Sequence, residues 1–330
     1  MKYGYLGRSG LKVSRMVLGT FNFGWSTPKE QAFEIMDKAL EEGITIFDTA
    51  DSYGVWAGKG YSGLTEEIIG EWFALGGGRR ESVVLATKVY EKTDFPYEGL
   101  NAERGLSAYK IKRHIEGSLR RLRTDHVELY QMHHYEYHAP WEELFGAFED
   151  LISAGKVVYL GSSNFGARHL VRAQAVAERR GFLGFVSEQH RYSLACRLPE
   201  LELLPACEEL GVGAILWSPL ASGLLGGHAL DGKGGARSAE AGGGLDDAGR
   251  AQVLAYHDLC ASIGHTPANV ALAWTLANPA VTGPIIGPRT PDQVTQSAKA
   301  VDIELDGEVL AKLDEIFPGP GGPAPQAYSW

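Results

Sequence analysis

Side chains that can exchange protons or form hydrogen bonds stand at the ends of several apolar runs in this sequence. They are Asp48, Lys88, His133, Ser163 with Asn164, Gln189, and Trp217 with Ser218. Carboxylate, ammonium, imidazole and amide groups are costly to bury, because each of them must give up its water. Any single one could be a hydrogen-bonded polar residue of the core. Their recurrence at equivalent positions instead indicates a site that moves protons and holds a polar ligand.

The runs that carry these residues alternate with helical patterns along the chain. β-Branched and apolar runs predict strands at 13–18, 44–47, 83–87, 127–131, 157–161, 185–189, 212–217 and 282–286. Such continuous apolarity is typical of strands that are covered on both faces. Apolar residues at i, i+3 and i+4 predict a first helix that ends near Gly43, and further helices at 66–73, 108–123, 141–154, 167–180, 200–210, 251–263 and 291–300.

Eight strand–helix alternations without a long linker predict an α/β fold, a closed (β/α)8 TIM barrel that forms a single domain over 1–330. We expect an N-terminal β-hairpin at 3–13, an extra C-terminal helix at 307–316 and a Pro/Gly-rich C-terminal tail. Two glycine-rich stretches, 58–63 and 226–244, are predicted as flexible loops. Reactive groups of such barrels lie at the carboxyl ends of the strands, where the polar residues occur.

Composition excludes several other classes of protein. Lys and Arg number 31 against 41 Asp and Glu, and the net charge of −10 argues against nucleic-acid or anionic-membrane binding. Three cysteines without a CxxC pair favour a reducing cytoplasmic environment over a disulfide framework. We expect neither a secretory signal nor a membrane span, because no apolar run of sufficient length is present.

Three motifs mimic known sites without their context. Residues 58–63 spell GxGxxG, but about ten residues separate them from the preceding strand, unlike a Rossmann turn. Residues 227–234 approach a Walker A loop, but Gly234 stands where a hydroxyl must bind Mg²⁺. His133, His134 and His138 suggest a metal, but strand neighbours point to opposite faces, so no metal site is predicted.

The ordered motifs resemble those of the aldo-keto reductase family over nearly the whole chain. They are FDTADSYG at 47–54, ATK at 86–88, YQMH at 130–133, GSSNF at 161–165, Gln189, SPL at 218–220 and PIIG at 284–287. The resemblance implies a catalytic tetrad of Asp48, Tyr53, Lys88 and His133. It also implies an NADPH cofactor that binds across the barrel mouth without a Rossmann motif.

The implied tetrad is chemically suited to carbonyl reduction. Tyr53 is the candidate acid, and a neighbouring Lys88 ammonium is expected to lower the pKa of its phenol. Asp48 would pair with Lys88 and hold it in place. His133 would orient or polarise the carbonyl oxygen. The nicotinamide supplies the hydride, so no metal is required.

The resemblance also implies a set of cofactor contacts along the barrel mouth. They are Gly19, Thr20, Ser163, Asn164, Gln189, Trp217, Ser218, Leu220, Ser222, Gly223, Leu224, Gly287, Arg289, Gln293, Gln296 and Ser297. Trp217 offers a plane for the nicotinamide, and small residues after it would let backbone N–H groups approach the pyrophosphate. Arg289 beside a helix start could bind a 2′-phosphate, which predicts NADPH over NADH.

Loop aromatics and a histidine are candidates for the wall of a pocket for a small carbonyl substrate. They are Trp25, Trp56, His134, Tyr135 and Trp330. Exposed loop aromatics also occur at subunit contacts, so a homo-oligomer is possible. Two alternatives to a reductase stay open: a redox-sensing regulatory subunit that resembles potassium-channel β-subunits, and a barrel without chemistry. Turnover of NADPH with a panel of aldehydes distinguishes them.

Overall fold

Eight parallel strands close into a barrel in the computed structural model, which describes residues 1–56, 58–93, 101, 103–231, 240 and 242–328. The barrel strands are β3 (Val17–Gly19), β4 (Ile46–Asp48), β7 (Val84–Val89), β8 (Val127–Met132), β9 (Val157–Ser163), β10 (Phe185–Arg191), β11 (Gly213–Trp217) and β12 (Val281–Ile286). Each pairs with the next along the chain, and β12 pairs with β3 to close the ring. The (β/α)8 barrel is therefore confirmed.

Helices surround the barrel and cover the outer face of its strands. They are α1 (Lys29–Glu41), α2 (Leu64–Phe73), α3 (Ala108–Leu122), α4 (Trp141–Ser153), α5 (Ala167–Arg180), α6 (Leu203–Leu210), α7 (Asp247–Ser262), α8 (Pro267–Leu276), α9 (Pro291–Ala298) and α10 (Gly307–Ile316). The main apolar core lies between these helices and the strands. The last helix and the leading hairpin, β1 (Tyr3–Tyr5) with β2 (Lys12–Ser14), confirm the two additions predicted around the barrel.

The leading hairpin closes the amino-terminal end of the barrel. Its Leu6 and Val13 are fully buried in a small apolar cluster with inward-facing residues of the barrel strands, such as Ile46 and Leu129. Gly7 permits this contact, because its φ is +54° and a Cβ there would lie 2.3 Å from the carbonyl oxygen of Val186. The lower half of the barrel interior is therefore packed and apolar, and it supports what lies above it.

The predicted strand at 13–18 is wrong in one respect, because the chain turns within it. Lys12–Ser14 belongs to the hairpin and Val17–Gly19 to the barrel. The hydroxyl of Ser14 donates to the carbonyl of Met16 at 2.6 Å and fixes the bend between them. The apolar residues on both sides of Ser14 and Arg15 are buried, so the run reads as a single strand and gives no clear sign of the bend.

Helix α8 is an element that the sequence patterns missed. Most of its residues are buried, and they lie around the whole helix, so no stripe of period 3.6 marks it. The available signal was local: Thr266 caps the helix by accepting from the N–H of Asn269, and Pro267 follows at the first helical position.

The glycine-rich stretch after Tyr53 forms a small hairpin of β5 (Val55–Trp56) and β6 (Lys59–Gly60), so the prediction of a flexible loop there is wrong. Gly60 has a φ of +72°, and a Cβ on it would lie 1.8 Å from the carbonyl oxygen of Gly54. These glycines therefore allow a close backbone approach. Of the second predicted loop, residues 232–239 and 241 lie outside the described residues.

Two helical glycines differ in how closely other parts of the protein pack against them, and their alanine variants test this difference. A Cβ on Gly70 of α2 would lie 2.0 Å from the carbonyl oxygen of Arg121 on α3, whereas one on Gly146 of α4 meets nothing closer than 3.8 Å. We expect Gly70→Ala to lower the free energy of unfolding by about 1–3 kcal/mol and Gly146→Ala to raise it by about 0.5–1 kcal/mol. Denaturant unfolding measures both variants. Equal stability of the two variants would contradict the close contact of α2 with α3.

Candidate active site

A polar layer lies directly above the apolar lower layer of the barrel. Side chains of a strand alternate between its faces, so a residue two positions beyond an inward-facing residue also faces inward. Asp48 follows Ile46 in this way, Lys88 follows Ala86, and Gln131 follows Leu129. The strand ends therefore bring together side chains that are distant in the sequence.

Lys88 is the centre of this layer. Its fully buried Nζ donates to Asp48 Oδ2 at 2.6 Å, to the carbonyl oxygen of Thr49 at 2.8 Å and to Tyr53 Oη at 3.2 Å. Burial is the largest single effect and lowers the pKa of Lys88, but the charge of Asp48, the charge of Tyr53 and the hydrogen bonds to both together raise it on balance. Lys88 is thus a buried cation whose three donors are all used.

Two amides hold the other oxygen of the Asp48 carboxylate. Gln131 Nε2 donates to Asp48 Oδ1 at 3.1 Å and Gln189 Nε2 at 2.7 Å. Both oxygens are therefore satisfied although the side chain is buried. Gln131 was not among the predicted site residues. The signal was available, because Gln131 lies two residues after the inward-facing Leu129 on β8.

Tyr53 follows β4 and is fixed by backbone and ring contacts. Its carbonyl oxygen accepts from the N–H of Gly63 at 2.9 Å, and its ring packs edge-on against Phe21 with centroids 5.1 Å apart. Burial raises the pKa of its phenol. The Lys88 ammonium acts in the opposite direction, and the Asp48 charge adds to the rise.

The expectation of a lowered pKa for the Tyr53 phenol is therefore wrong for this site. Burial is the largest effect on this pKa, and Asp48 offsets the charge of Lys88, so the phenol holds its proton more firmly than a free tyrosine does.

His133 lies just beyond the end of β8 and next to Tyr53. Its ring centroid is 5.8 Å from that of Tyr53, and its N–H donates to the carbonyl oxygen of Val89 at 3.0 Å. Burial, and then the charge of Lys88, hold the pKa of His133 well below its usual range. Its ring is therefore neutral, and its buried Nδ1 has no hydrogen-bond partner among the described residues.

His134 stacks on His133 and contacts the carboxylate of Glu91. The two rings are 5.2 Å apart at 15°, so the prediction that they point to opposite faces is wrong. Both residues lie past Met132, the last residue of β8, where strand alternation no longer applies. His134 Nε2 is 3.3 Å from Glu91 Oε1, and Arg104 also binds Glu91, at 2.9 Å.

Ser163, Asn164 and Trp217 form a continuous set of hydrogen bonds at the mouth. Asn164 has a φ of +60°, which turns its side chain back so that Nδ2 donates to the carbonyl oxygen of His133 at 3.0 Å. Its Oδ1 accepts from Trp217 Nε1 at 3.1 Å, and the Ser163 hydroxyl donates to the carbonyl oxygen of Gln189 at 2.9 Å. The half-buried indole of Trp217 is thus fixed in orientation.

The loop after Trp217 has an unusual backbone, with φ between +48° and +94° at Ser218, Ala221, Ser222 and Gly223. Most of its N–H groups bond within the loop. Ser222 donates to Ser218 Oγ at 3.0 Å, and the N–H groups of Gly223 and Leu225 both donate to the carbonyl oxygen of Leu220. Of the residues expected to offer N–H groups to a pyrophosphate, Ser222 and Gly223 are therefore engaged within the loop.

The second predicted anion site surrounds the start of α9. Thr290 caps this helix by accepting from the N–H of Gln293, and the exposed Arg289 precedes it. The amides of Gln293 and Gln296 bond locally: Gln293 Oε1 accepts from the N–H of Arg289 at 2.8 Å, and Gln296 Oε1 accepts from Lys299 at 2.9 Å. Gly287 precedes this segment and Ser297 lies on α9.

The remaining predicted contacts are dispersed around the mouth. Gly19 and Thr20 follow β3, and the buried Thr20 hydroxyl donates to the carbonyl oxygen of Asp48 at 2.9 Å, which holds β3 against β4. Trp25 Nε1 donates to the carbonyl oxygen of Phe21, whose ring contacts Tyr53.

The other predicted pocket residues lie elsewhere or outside the description. The ring of Tyr135 stacks on His169 at 3.8 Å and packs against Phe165 rather than joining the ring contacts of Tyr53. Trp56 lies in β5, and Trp330 lies outside the described residues. Within the described part of the chain, no group of three His, Cys, Asp or Glu side chains could hold a metal ion.

Comparison with known proteins assigns this barrel to a family. The Aldo/keto reductase family matches residues 15–317. The chain belongs to the aldo/keto reductase family. An uncharacterized oxidoreductase YrpG of Bacillus subtilis (strain 168) is 58% identical over 330 residues, which is the whole of both chains. Members of this family are oxidoreductases, as this relative's name also states.

More distant relatives carry different names. A versiconal hemiacetal acetate reductase of Aspergillus parasiticus is 31% identical over 96% of this aldo/keto reductase and 97% of its own length. A putative voltage-gated potassium channel subunit beta of Schizosaccharomyces pombe is 34% identical over 95% and 92%, respectively. Among the described residues, none of the helices combines the length and apolarity needed to cross a membrane.

The contribution of the buried Lys88–Asp48 ion pair to the stability of the protein can be measured with substitutions. Lys88→Met leaves the Asp48 carboxylate buried without a counter-ion, and we expect it to lower the free energy of unfolding by about 3–5 kcal/mol. Adding Asp48→Asn should recover part of the loss, because an amide needs no counter-ion. Denaturant unfolding of the wild type, the single variant and the double variant measures this. Equal stability of the single and double variants would contradict a charge-based role.

Proposed function

We propose that this chain reduces the carbonyl group of a small aldehyde or ketone to an alcohol with hydride from NADPH. One observation carries the proposal: Tyr53 Oη lies 3.2 Å from the Nζ of the buried Lys88, which Asp48 pairs at 2.6 Å, with His133 beside it at the barrel mouth. A proton donor, a fixed cation and a neutral imidazole at one point suit an oxygen on which negative charge develops.

Tyr53 is the proton donor in this proposal. Because burial raises the pKa of its phenol, the hydroxyl is protonated throughout the neutral range and is ready to act as an acid. As the proton leaves, the phenolate that forms lies against the Lys88 ammonium, which stabilises it. The Lys88 ammonium thus lies where it can stabilise the negative charge that forms on the Tyr53 oxygen during the reaction.

His133 orients the substrate oxygen. Its low pKa keeps the ring neutral, so it can donate one N–H hydrogen bond without adding a second positive charge beside Lys88. The bond from Asn164 to its carbonyl and the stacked ring of His134 fix its position. A fixed donor lowers the cost of orienting the carbonyl.

The residues at the mouth fit a nicotinamide dinucleotide at two places. The oriented plane of Trp217 suits stacking of the nicotinamide ring, and the start of α9 beside Arg289 suits an anionic group. Ser163, Asn164 and Gln189 would bind the carboxamide, with the Nε2 of Gln189 already committed to Asp48 and its Oε1 left to accept. A bound NADPH supplies the hydride.

With the exception of Tyr135, the remaining predicted contacts keep their assignments within this proposal. Gly19, Thr20, Ser218, Leu220, Ser222, Gly223, Leu224, Gly287, Gln293, Gln296 and Ser297 would line the cofactor cleft. Trp25, Trp56, His134 and Trp330 would line the substrate rim, whereas Tyr135 packs against His169 and Phe165 instead.

Tyr53→Phe tests the acid directly. Phenylalanine keeps the ring contact with Phe21 but has no proton to give, so we expect NADPH affinity near that of the wild type and hydride transfer slower by about 10²–10⁴-fold. Single-turnover loss of NADPH absorbance with an aldehyde measures the step. A rate equal to that of the wild type would remove Tyr53 from this role.

Arg289→Ala tests the cofactor preference. The guanidinium is exposed and is proposed to bind a 2′-phosphate that NADH lacks, so we expect the NADPH to NADH ratio of kcat/KM to fall about tenfold or more. Arg179→Ala at the carboxyl end of α5, which faces the opposite end of the barrel, is the control. An unchanged ratio in Arg289→Ala would refute the assignment.

A redox-sensing regulatory subunit is the second candidate, and the similarity to the Schizosaccharomyces pombe channel subunit at 34% identity favours keeping it. Such a subunit would bind NADPH without appreciable turnover. Tight NADPH binding with no aldehyde reduced across a broad panel would support it over the reductase.

A further inference from the structure

One strand contributes residues to two separate environments. On β10, Gln189 points into the barrel and donates to Asp48 at 2.7 Å. Glu188 and His190 lie on the other face, where the buried Glu188 accepts from the Ser162 hydroxyl and is 3.3 Å from His190 Nδ1. By the same alternation, Arg191 lies on the Gln189 side, at the last residue of the strand and therefore at the mouth.

The guanidinium of Arg191 lies over the indole of Trp217. Its Cζ is 5.8 Å from the ring centroid, and the two residues face each other in the register of β10 and β11. Trp217 is in turn bonded to Asn164, which holds the carbonyl of His133. Contacts therefore run without a gap from Arg191 to the residue proposed to orient the substrate oxygen.

Arg191 has no acidic partner among the described residues, unlike the two arginines Arg104 and Arg197. Arg104 binds Glu91, and Arg197 binds Glu200 and Asp314. Arg191 is exposed and shows neither an ion pair nor a side-chain hydrogen bond to the described residues, although the chain carries a net charge of −10. Stacking on the indole restricts the guanidinium and leaves its N–H groups available.

We propose that Arg191 binds the carboxylate or phosphate group of a molecule held at the barrel mouth. The proposal rests on the proposed reductase function and adds a substrate class to it: aldehydes or ketones that carry such an oxyanion. The planar guanidinium matches these groups with two parallel hydrogen bonds. The pyrophosphate of the cofactor carries the same kind of oxyanion, and the experiment distinguishes whether Arg191 binds the substrate or the cofactor.

The experiment compares Arg191→Gln, Arg191→Lys and the control Arg179→Gln at the far end of the barrel. Each is assayed with NADPH and either 4-carboxybenzaldehyde or its methyl ester, which share a reacting group and differ in charge. Calorimetric titrations with NADPH and with 4-(hydroxymethyl)benzoate measure binding without turnover. Because Arg191 is exposed, its replacement should leave the fold intact.

If the oxyanion belongs to the substrate, Arg191→Gln lowers kcat/KM for the acid about tenfold or more, with the ester and the NADPH Kd changed less than about twofold. Arg191→Lys keeps the positive charge but loses the planar guanidinium that forms two parallel hydrogen bonds. Its kcat/KM for the acid is therefore expected to lie between those of the wild type and Arg191→Gln. If it belongs to the cofactor, the NADPH Kd rises about tenfold and both aldehydes are affected equally. The first pattern supports the proposal together with its substrate class, whereas the second supports oxyanion binding by Arg191 and refutes the substrate class.

An Arg191→Gln variant that matches the Arg179→Gln control with both aldehydes and in both titrations overturns the proposal. Absence of turnover by the wild type with both aldehydes is a failure of the reductase function instead. In that case the two titrations still decide whether Arg191 binds an oxyanion, since neither of them needs chemistry.

Discussion

The buried ion pair of Lys88 and Asp48 is the constraint on which the site depends. A buried ammonium and carboxylate are tolerated only when each is fully hydrogen-bonded, and here three acceptors surround Nζ while Gln131 and Gln189 hold the second carboxylate oxygen. Behind it, Thr87 of the same strand donates at 2.7 Å to the buried Glu66. This bond holds the strand that carries Lys88 against helix α2.

This arrangement determines what the phenol can do. Because Asp48 offsets the charge of Lys88, the ammonium does not ionise Tyr53 in advance, and burial keeps the proton in place. The hydroxyl is nevertheless the third ligand of Nζ, so the cation lies beside any phenolate that forms. The Tyr53 phenol thus stays protonated and can act as an acid rather than a base, which suits the reduction of a carbonyl group. Around this centre, His133 is kept neutral, and the Arg191 guanidinium lies over the Trp217 indole at the mouth.

Sequence patterns predicted the barrel and the strand ends well, because apolar runs and the alternation of side chains between the two faces of a strand directly reflect burial. They failed where burial is uniform or where a strand has ended. Helix α8 is apolar on all sides, and the run at 13–18 hides a bend, so neither shows a periodic signal. His133 and His134 stack because they lie past β8. The pKa of Tyr53 also could not be foreseen, since it reflects desolvation and the offset of two charges rather than residue types.

The central claim is that Tyr53 is a half-buried, protonated phenol beside a cation whose charge is already offset. Carbon-13 NMR of ζ-labelled tyrosine, assigned with a Tyr53→Phe variant, follows its ionisation in the cofactor-free protein. The account predicts a pKa above the usual value near 10 for the wild type, and a lower pKa once Asp48→Asn removes the offsetting charge. Ionisation of Tyr53 well below 10 in the wild type, or no response to Asp48→Asn, would contradict it.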